Sequence, residues 1–372
     1  MKQDIYEQLA LHLSALGMGL PYREELLDIL RENFTQIEAE VALTLPTKVI
    51  PLQPVKVDDI IGEVNLPRVE LVDILERLSE RGLLFSGKTK DGEKGYALLQ
   101  KGFGFPQTFF WKGEKTPHAE NMADLIDKYD TPKVKKATHG TNTHAYRYLP
   151  VKEAIELMTQ EVHPHEMMEA VYPYDMMEKV IERARVIALA HCPCRVRAHI
   201  QERGCDHLLE VCLKFDELAE YLIERGLGKE ITREEALEVI KKSAEDGLVH
   251  FVDNAQGDIQ HSCNCCGCCC WNLGPIKRRE ITRDLIIATY FIEELDEDKC
   301  NGCGKCVDIC PVNVITIEDD LAVIDRDWCV GCGLCVTRCK LKATKLIRRS
   351  EQIPPPNFRE LHERILQEKG LS

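Results

Sequence analysis

Apolar residues in the first hundred positions recur at helical spacing and then fall into two short runs. Ile5, Leu9 and Leu13 share one helical face, and residues 22–34 repeat that pattern. Two short apolar runs then flank the turn sequence at 90–92. The pattern predicts several helices followed by a two-stranded hairpin.

Start and stop signals refine this prediction. Thr35 and Glu38 have the spacing of a capping box at the start of a helix. A longer helix is predicted from Pro67 to Arg81, with Gly82 just beyond its end. The order of short helix, longer helix and hairpin resembles a winged-helix domain, which we expect over residues 1–112.

The middle of the chain is predicted to contain a connector and a mostly helical, Cys-rich domain, together spanning residues 113–290. Residues 112–150 are polar and basic and predict little core of their own. The apolar spacing predicts an amphipathic helix over Tyr174–His191 that leads to the first cysteines. A further helix is predicted to begin at Thr232, which has Glu235 at the capping-box position.

Composition excludes two broad classes of protein. Of the 372 residues, 44% are apolar, which is enough to build ordinary cores and argues against wholesale disorder. The longest apolar runs are far shorter than the roughly 20 residues that cross a bilayer, so no membrane span is predicted. The first residues lack the basic and apolar regions of a signal peptide, and we expect a cytoplasmic protein.

The charge balance argues against nucleic-acid binding. The formal net charge is −14, and residues 1–100 hold 11 Lys and Arg against 17 Asp and Glu. Phosphate contacts dominate the affinity of proteins for DNA, and an acidic surface opposes them. DNA is therefore not an expected partner, although a winged helix would otherwise suggest it.

The 18 cysteines lie entirely in the second half of the chain, beginning at Cys192. A cytoplasm keeps thiols reduced, so cysteines at this density predict metal ligands or redox groups rather than disulfides. The metal chemistry is therefore expected in the second half.

Near the C-terminus, two segments repeat each other at an offset of 29 residues. Each has the spacing C-x2-C-x2-C-x3-C, in which three thiolates of a tight loop bind one cubane and the fourth cysteine serves the other cluster. Glycines between the cysteines let the backbone turn closely around the sulfurs. The two segments contain Cys300, Cys303, Cys306 and Cys310, followed by Cys329, Cys332, Cys335 and Cys339.

These segments resemble the bacterial two-cluster ferredoxins over about residues 291–348. The resemblance implies two [4Fe-4S] clusters and a β-hairpin at 314–317 and 322–324. Lys340 departs from the family pattern, which has a proline at that position. A zinc ribbon is the alternative, but it needs only four thiolates in well-separated pairs. The resemblance assigns cluster one to Cys300, Cys303, Cys306 and Cys339, and cluster two to Cys329, Cys332, Cys335 and Cys310.

Ten further cysteines occupy the middle of the chain, and their density predicts metal binding. The first four could close one site by number, while the dense run could serve several clusters or bridge one of unusual shape. We expect one or two additional Fe–S clusters, with zinc or unligated thiols as alternatives. The first four are Cys192, Cys194, Cys205 and Cys212, and the dense run contains Cys263, Cys265, Cys266, Cys268, Cys269 and Cys270.

The arrangement over residues 174–348 resembles a family of multi-cluster ferredoxin-domain proteins from anaerobic prokaryotes, which carries no agreed reaction. His191, His207 and Arg195 adjoin the central thiols, where they could donate hydrogen bonds to cluster sulfurs. His163 and His165 could also bind a metal, but no third ligand is near them in the sequence.

One motif in the chain is misleading. Residues 82–89 spell the P-loop string, with Gly87, Lys88 and Thr89 at its end. A P-loop follows a strand and begins a helix, whereas this string is predicted to end a helix and enter a hairpin. No nucleotide is therefore predicted as a ligand.

These predictions describe an α+β multidomain protein. They place a winged-helix-like domain at 1–112, a connector and Cys-rich domain at 113–290, a two-cluster ferredoxin domain at 291–350, and a Pro-rich hinge with a C-terminal helix at 351–372.

The predicted function is electron transfer between protein redox partners. Two C-terminal clusters and at least one central cluster would form a relay, in a subunit or partner of a low-potential oxidoreductase of an anaerobe. An electron carrier is expected rather than a stand-alone enzyme, and no catalytic residue is predicted. The alternatives are a redox-sensing winged-helix regulator, or an oxidoreductase with a substrate-binding cluster at Cys263–Cys270.

Overall fold

A computed structural model of the chain describes residues 4–159, 171–349 and 352–371. The N-terminal part begins with three helices whose apolar faces form a shared core. The predicted capping box is confirmed, because the Thr35 amide donates to Glu38 Oε2 at 2.9 Å and the Glu38 amide donates to Thr35 Oγ1 at 3.4 Å. The helices are α1 (Ile5–Ser14), α2 (Glu24–Asn33) and α3 (Gln36–Leu43).

The predicted longer helix and hairpin follow. Ser86 of one hairpin strand lies opposite Tyr96 of the other, so residues 82–89 do not begin a helix as a P-loop would. The three strands of this small sheet have the order β1-β3-β2, all antiparallel. The elements are β1 (Val55–Lys56), α4 (Val57–Ile60), α5 (Arg68–Glu80), β2 (Leu84–Lys88) and β3 (Lys94–Leu98).

The prediction that residues 112–150 have little core is wrong. They form α6 (Pro117–Tyr129) and α7 (Pro132–His139), and the inner face of α6 is fully buried. The two Thr-Pro pairs of this segment, at 116–117 and 131–132, are helix starts. Thr116 and Thr131 are N-caps, and the proline after each of them occupies the first helical turn. Backbone N–H groups in that turn have no partner within the helix, so a proline there costs no hydrogen bond.

The prediction of a mostly helical middle domain is also wrong. The centre of this part is a seven-stranded mixed sheet in the order β10-β4-β8-β9-β6-β5-β7. The strands are β4 (Tyr146–Leu149), β5 (Ile187–His191), β6 (Glu210–Phe215), β7 (Lys229–Glu230), β8 (Val249–Asp253), β9 (His261–Cys265) and β10 (Ile287–Ala288).

The predicted helix over Tyr174–His191 shows why periodicity was misleading here. Only Met177–Arg183 is α-helical, and Ile187–His191 is a strand. The strand lies inside the sheet with residues 187–190 all buried, so it reads as a continuous apolar run. Such a run has no period that distinguishes a strand from a buried helix.

Helices flank the sheet. The predicted capping box at Thr232 is confirmed by reciprocal bonds with Glu235 of 2.8 and 3.2 Å. The helices of this region are α8 (Lys152–Thr159), α9 (Met177–Arg183), α10 (Pro193–Ile200), α11 (Asp216–Glu224), α12 (Arg233–Glu245), α13 (Leu273–Lys277) and α14 (Arg283–Ile286).

The C-terminal part contains two short antiparallel strand pairs and two one-turn helices that pack on each other. The hairpin expected near 314–324 is confirmed, with Ile315 opposite Ile324. The elements are β11 (Phe291–Leu295), α15 (Lys305–Ile309), β12 (Ile315–Glu318), β13 (Leu321–Ile324), α16 (Leu334–Arg338) and β14 (Thr344–Arg348).

The predicted C-terminal helix is α17 (Phe358–Glu368), and one of its faces is buried. Leu361 and Ile365 are fully buried, and Phe358 packs edge-on against Phe103. Beyond the helix, Lys369 Nζ donates to the carbonyl of Gly17, which follows α1, and to that of Thr138 in α7. The end of the described chain is therefore packed against its beginning. Among the described helices, none combines the length and the apolar character that a membrane crossing needs.

Candidate metal centres

The four cluster-one thiols line one pocket, together with the glycines of the first Cys loop. Gly302 has a φ of 65° and abuts the backbone of Asp320, so a side chain would not fit there. Cys303 is exposed, whereas Cys300, Cys306 and Cys339 are half-buried. The loop thus gathers three thiols near the surface, and the second repeat supplies the fourth.

The cluster-two thiols lie deeper. Cys329, Cys332 and Cys335 are buried, and burial raises the pKa of each of these thiols. Cys310 from the first repeat is close enough to add to that effect. Each repeat therefore contributes its fourth cysteine to the other repeat's loop.

Backbone amides point at these sulfurs, as expected around iron–sulfur clusters. Cys339 Sγ accepts from the Ala343 amide at 3.2 Å, and Cys310 Sγ accepts from the Val314 amide at 3.5 Å. Four thiols per site with amide donors fit the donor set of a [4Fe-4S] cluster.

The sequence left open that the first four central cysteines bind one metal site together. In the structure they do not, because Cys205 lies apart from the other three. Cys205 lies instead with three members of the dense run, and the four Sγ atoms are all within 4.8 Å of one another. Cys205 Sγ is 3.5 Å from Cys269 Sγ and 4.0 Å from Cys266 Sγ. We call this set the four-thiol group: Cys205, Cys266, Cys268 and Cys269.

The other six central thiols line a single cavity, which we call the six-thiol chamber. Its floor is the central sheet, and its opposite side is formed by segments after β5 and β9 and by residues near Gln107. The six are Cys192, Cys194, Cys212, Cys263, Cys265 and Cys270.

Arg195 lies between the two sets of thiols. Its side chain is completely buried, and its Nη1 donates to the Asn264 carbonyl at 3.2 Å. In the part of the chain that the structure describes, its Nε and Nη2 have no oxygen or nitrogen acceptor. Burial alone would lower the pKa of Arg195, but the Cys192 and Cys266 thiolates raise it. The guanidinium therefore remains cationic and faces sulfur.

The two histidines that adjoin the thiols in sequence interact elsewhere. His191 Nδ1 lies 3.3 Å from the Trp111 carbonyl, and His207 Nδ1 lies 3.1 Å from Asp246 Oδ2. His163 and His165 fall outside the described residues.

Sequence reasoning missed Lys214. Its side chain is buried, lies over the Trp111 ring at 5.2 Å and faces Cys212. The neighbouring Cys263 thiol, and then Lys214, lower the pKa of Cys212 to about 5. A lysine two residues after a cysteine on a strand shares its face, but this signal is usable only once the segment is known to be a strand.

Tyr148 was also missed, and it lies between the chamber and cluster two. Burial, and the charges of Cys265, Cys270 and Cys332, raise the pKa of its phenol. Nearby, Gly267 lies so close to the Pro311 carbonyl that no side chain would fit. The central dense run therefore packs directly against the ferredoxin segment.

The comparisons with known proteins concern the C-terminal segment. The family described as 4Fe-4S dicluster domain matches residues 299–343. Ferredoxin-2 of Desulfomicrobium norvegicum is 55% identical over 29 residues, which cover 8% of this chain and 49% of that protein. Ferredoxin-3 of Desulfocurvibacter africanus is 55% identical over 29 residues, covering 8% of this chain and 48% of the relative.

A polyferredoxin-like protein of Methanocaldococcus jannaschii is 67% identical over 24 residues, covering 6% of this chain and 15% of that protein. The chain spans about half the length of the ferredoxins it matches. No solved structure matches it significantly. The C-terminal segment is thus a ferredoxin-type 4Fe-4S dicluster domain within a multidomain chain of mixed helix and strand.

Proposed function

We propose that the protein is an iron–sulfur electron carrier in which electrons pass from a protein partner to cluster one, then to cluster two, and finally to the central thiol sites. The ligands of clusters one and two are those that the ferredoxin resemblance implies. The partner would belong to a low-potential oxidoreductase system of an anaerobe.

The main support for this proposal is that the cysteine thiols become more buried along this path. Cluster one has an exposed thiol, Cys303, whereas three of the cluster-two thiols are buried. Ile317 and Leu341 are exposed beside cluster one, and such apolar residues suit a transient partner contact. Electrons would therefore enter at cluster one.

The contact between the dicluster domain and the central dense run supports the next step. Gly267 meets Pro311, which follows the cluster-two ligand Cys310, and Tyr148 lies between Cys332 and the chamber thiols. Electron transfer slows steeply with distance, so direct packing favours transfer from cluster two inward.

The test follows the reduction of the central sites in anaerobically purified full-length protein, with a reduced bacterial ferredoxin as donor and rapid freeze-quench EPR as readout. Cys303→Ser should retain the central iron but slow central reduction at least about tenfold, because entry is impaired. Cys268→Ser is the matched control, and its C-terminal clusters should reduce at the wild-type rate. Central reduction of Cys303→Ser at the wild-type rate would contradict the relay.

The N-terminal region is proposed to be a winged-helix-like packing module rather than a DNA reader. The basic residues of α5 and the arginine just after it are already paired: Arg68 with Asp58 at 2.9 Å, Arg77 with Asp73 at 2.8 Å, and Arg81 with Glu38 at 2.8 Å. The hairpin is covered by the Cys-rich part, since Tyr221 Oη donates to the Leu84 carbonyl at 2.9 Å. A regulator remains the less favoured alternative, and tight, salt-sensitive binding to duplex DNA in a gel-shift titration would support it.

A further inference from the structure

The six-thiol chamber is built from two sets of three cysteines that approach from opposite sides. The first set comes from the floor. Leu213 pairs with Ser262, which carries Cys212 opposite Cys263 on adjacent strands. Cys263 and Cys265 are two residues apart on β9 and share its face. Three thiols therefore project from one face of the sheet.

The second set, which we call the loop set, comes from the start of α10 and from the loop before α13, above that face. Cys192 and Cys194 follow β5, and Cys270 precedes α13. Cys270 Sγ accepts from the amides of Asn272 and Leu273, each at 3.4 Å. Cys194 Sγ accepts from the Trp271 amide at 3.5 Å. These sulfurs are held by backbone donors in the manner of cluster ligands.

The two sets meet, so the six sulfurs form one continuous array. Cys194 and Cys265 both lie within hydrogen-bonding reach of Cys270, which joins the loop set to the floor. Cys192 lies close to Cys194, and it is also near enough to Cys212 to interact with it electrostatically. No member of the four-thiol group lines this chamber.

Positive charge surrounds the array. Arg195 and Lys214 are buried against its thiols, and Lys101 and Lys135 line the same cavity, where Asp130 is the acidic residue. A cluster with six thiolates is strongly anionic, and buried charge is stable only when it is compensated. The surroundings fit such a cluster.

A cubane accepts four thiolates, so one cubane would leave two of the six sulfurs without iron. We propose that the six thiolates together hold a single iron–sulfur cluster larger than one cubane, with three ligands from the sheet and three from the loop set. This assignment does not depend on the direction of electron flow, because a chain that fails to relay electrons can still carry the cluster.

The test measures the inorganic content of anaerobically purified full-length protein by native mass spectrometry, metal analysis and Mössbauer spectroscopy. Cys212→Ser alters the sheet set, Cys192→Ser alters the loop set, and Cys268→Ser in the four-thiol group is the matched control. We expect Cys212→Ser and Cys192→Ser to change the same Mössbauer component and each to lose more than four irons. Cys268→Ser should leave that component intact.

Two results would overturn the proposal. Cys212→Ser could leave the iron content unchanged while Cys192→Ser removes one cubane, which would place Cys212 outside the cluster. Alternatively, the chamber variants could lose zinc instead of iron.

Wild-type protein provides a measurement that does not depend on the folding of any variant. Cubanes at the two C-terminal sites, the four-thiol group and the chamber would sum to about 16 irons. The proposal requires a fully loaded mass above that limit, or above about 12 irons if metal analysis finds zinc in the four-thiol group. A total at or below the limit would refute the larger cluster.

Discussion

Asp130 is a carboxylate with only 6% of its side-chain surface exposed, and it is held between two lysines. Its Oδ1 lies 2.6 Å from Lys101 Nζ, and its Oδ2 contacts Lys135. Burial alone would raise the pKa of Asp130, but the two ammonium groups lower it to about 2. The triad ties the loop after β3 to α6 and α7, next to the six-thiol chamber.

Asp130→Asn should therefore lower the free energy of unfolding by about 3–5 kcal/mol at pH 7, because the buried Lys135 and the largely buried Lys101 lose a counter-charge. Asp58→Asn is the matched control, since Asp58 pairs with Arg68 on the exposed surface and should cost at most about 1 kcal/mol. Anaerobic urea denaturation of both variants measures the difference.

The pH dependence of this effect has a definite sign. The folded pKa of Asp130 lies below its ordinary value of 3.8, so the contribution is present above that value and is lost as the pH falls toward 2. The gap between the free energies of unfolding of Asp130→Asn and wild type should stay constant from about pH 8 to 5. Below pH 5 this gap should shrink. A gap that widens in acid would contradict this assignment.

At the scale of elements, the two ferredoxin loops enter their helices by equivalent glycines with different surroundings. Gly304 and Gly333 both have a φ of 77° at the starts of α15 and α16. A Cβ at Gly304 would meet nothing within 4 Å, whereas one at Gly333 would lie 2.5 Å from Ala154 Cβ. The second loop alone is packed tightly against α8.

These two glycines form a matched pair for mutation. Gly304→Ala should lower the free energy of unfolding by about 1–2 kcal/mol, from backbone strain alone. Gly333→Ala should lower it by a further amount of about 1–3 kcal/mol, because the added methyl group overpacks the contact with α8. Thermal unfolding under nitrogen, followed by cluster absorbance, compares them. Equal losses would show that contact with α8 does not constrain cluster two.

Local signals predicted many elements correctly, and the failures have a common cause. The capping boxes at Thr35 and Thr232, the β2–β3 hairpin and the ferredoxin hairpin depend on neighbouring residues and were predictable. The strand at 187–191 and the burial of α17 were not predictable, because their environments are set by distant segments. The Thr-Pro pairs at 116 and 131 show that one local signal can fit both a loop and a helix start.

At the scale of the whole molecule, α17 joins the end of the described chain to its beginning. Lys369 Nζ donates to the Gly17 and Thr138 carbonyls at 2.7 and 2.8 Å. Leu361→Ala should lower the free energy of unfolding by about 2–5 kcal/mol, because it leaves a cavity in the core against which α17 packs. Leu11→Ala is the control, since Leu11 is 48% exposed. Chemical denaturation that finds equal losses would indicate that α17 contributes little.

The cysteine-free N-terminal part should survive the loss of a C-terminal cluster. Cys332→Ser is expected to lose or convert cluster two, because it removes a buried thiol of that site. The helices α1–α5 should stay folded, because their core includes none of the cysteines of the ferredoxin segment. Iron analysis and EPR report the cluster, and far-ultraviolet circular dichroism reports the helices. Loss of most helical signal would contradict this modular behaviour.

The sequence by itself determined the dicluster domain, because its eight cysteines lie on two short segments whose spacing and glycines are local properties. The density of the central cysteines also led to the prediction that they bind metal. Only the tertiary structure decided how those ten thiols are divided, since strand register placed Cys212 beside Cys263 and a contact across the chain brought Cys205 to the dense run. Such groupings depend on contacts between distant segments, which no local pattern records.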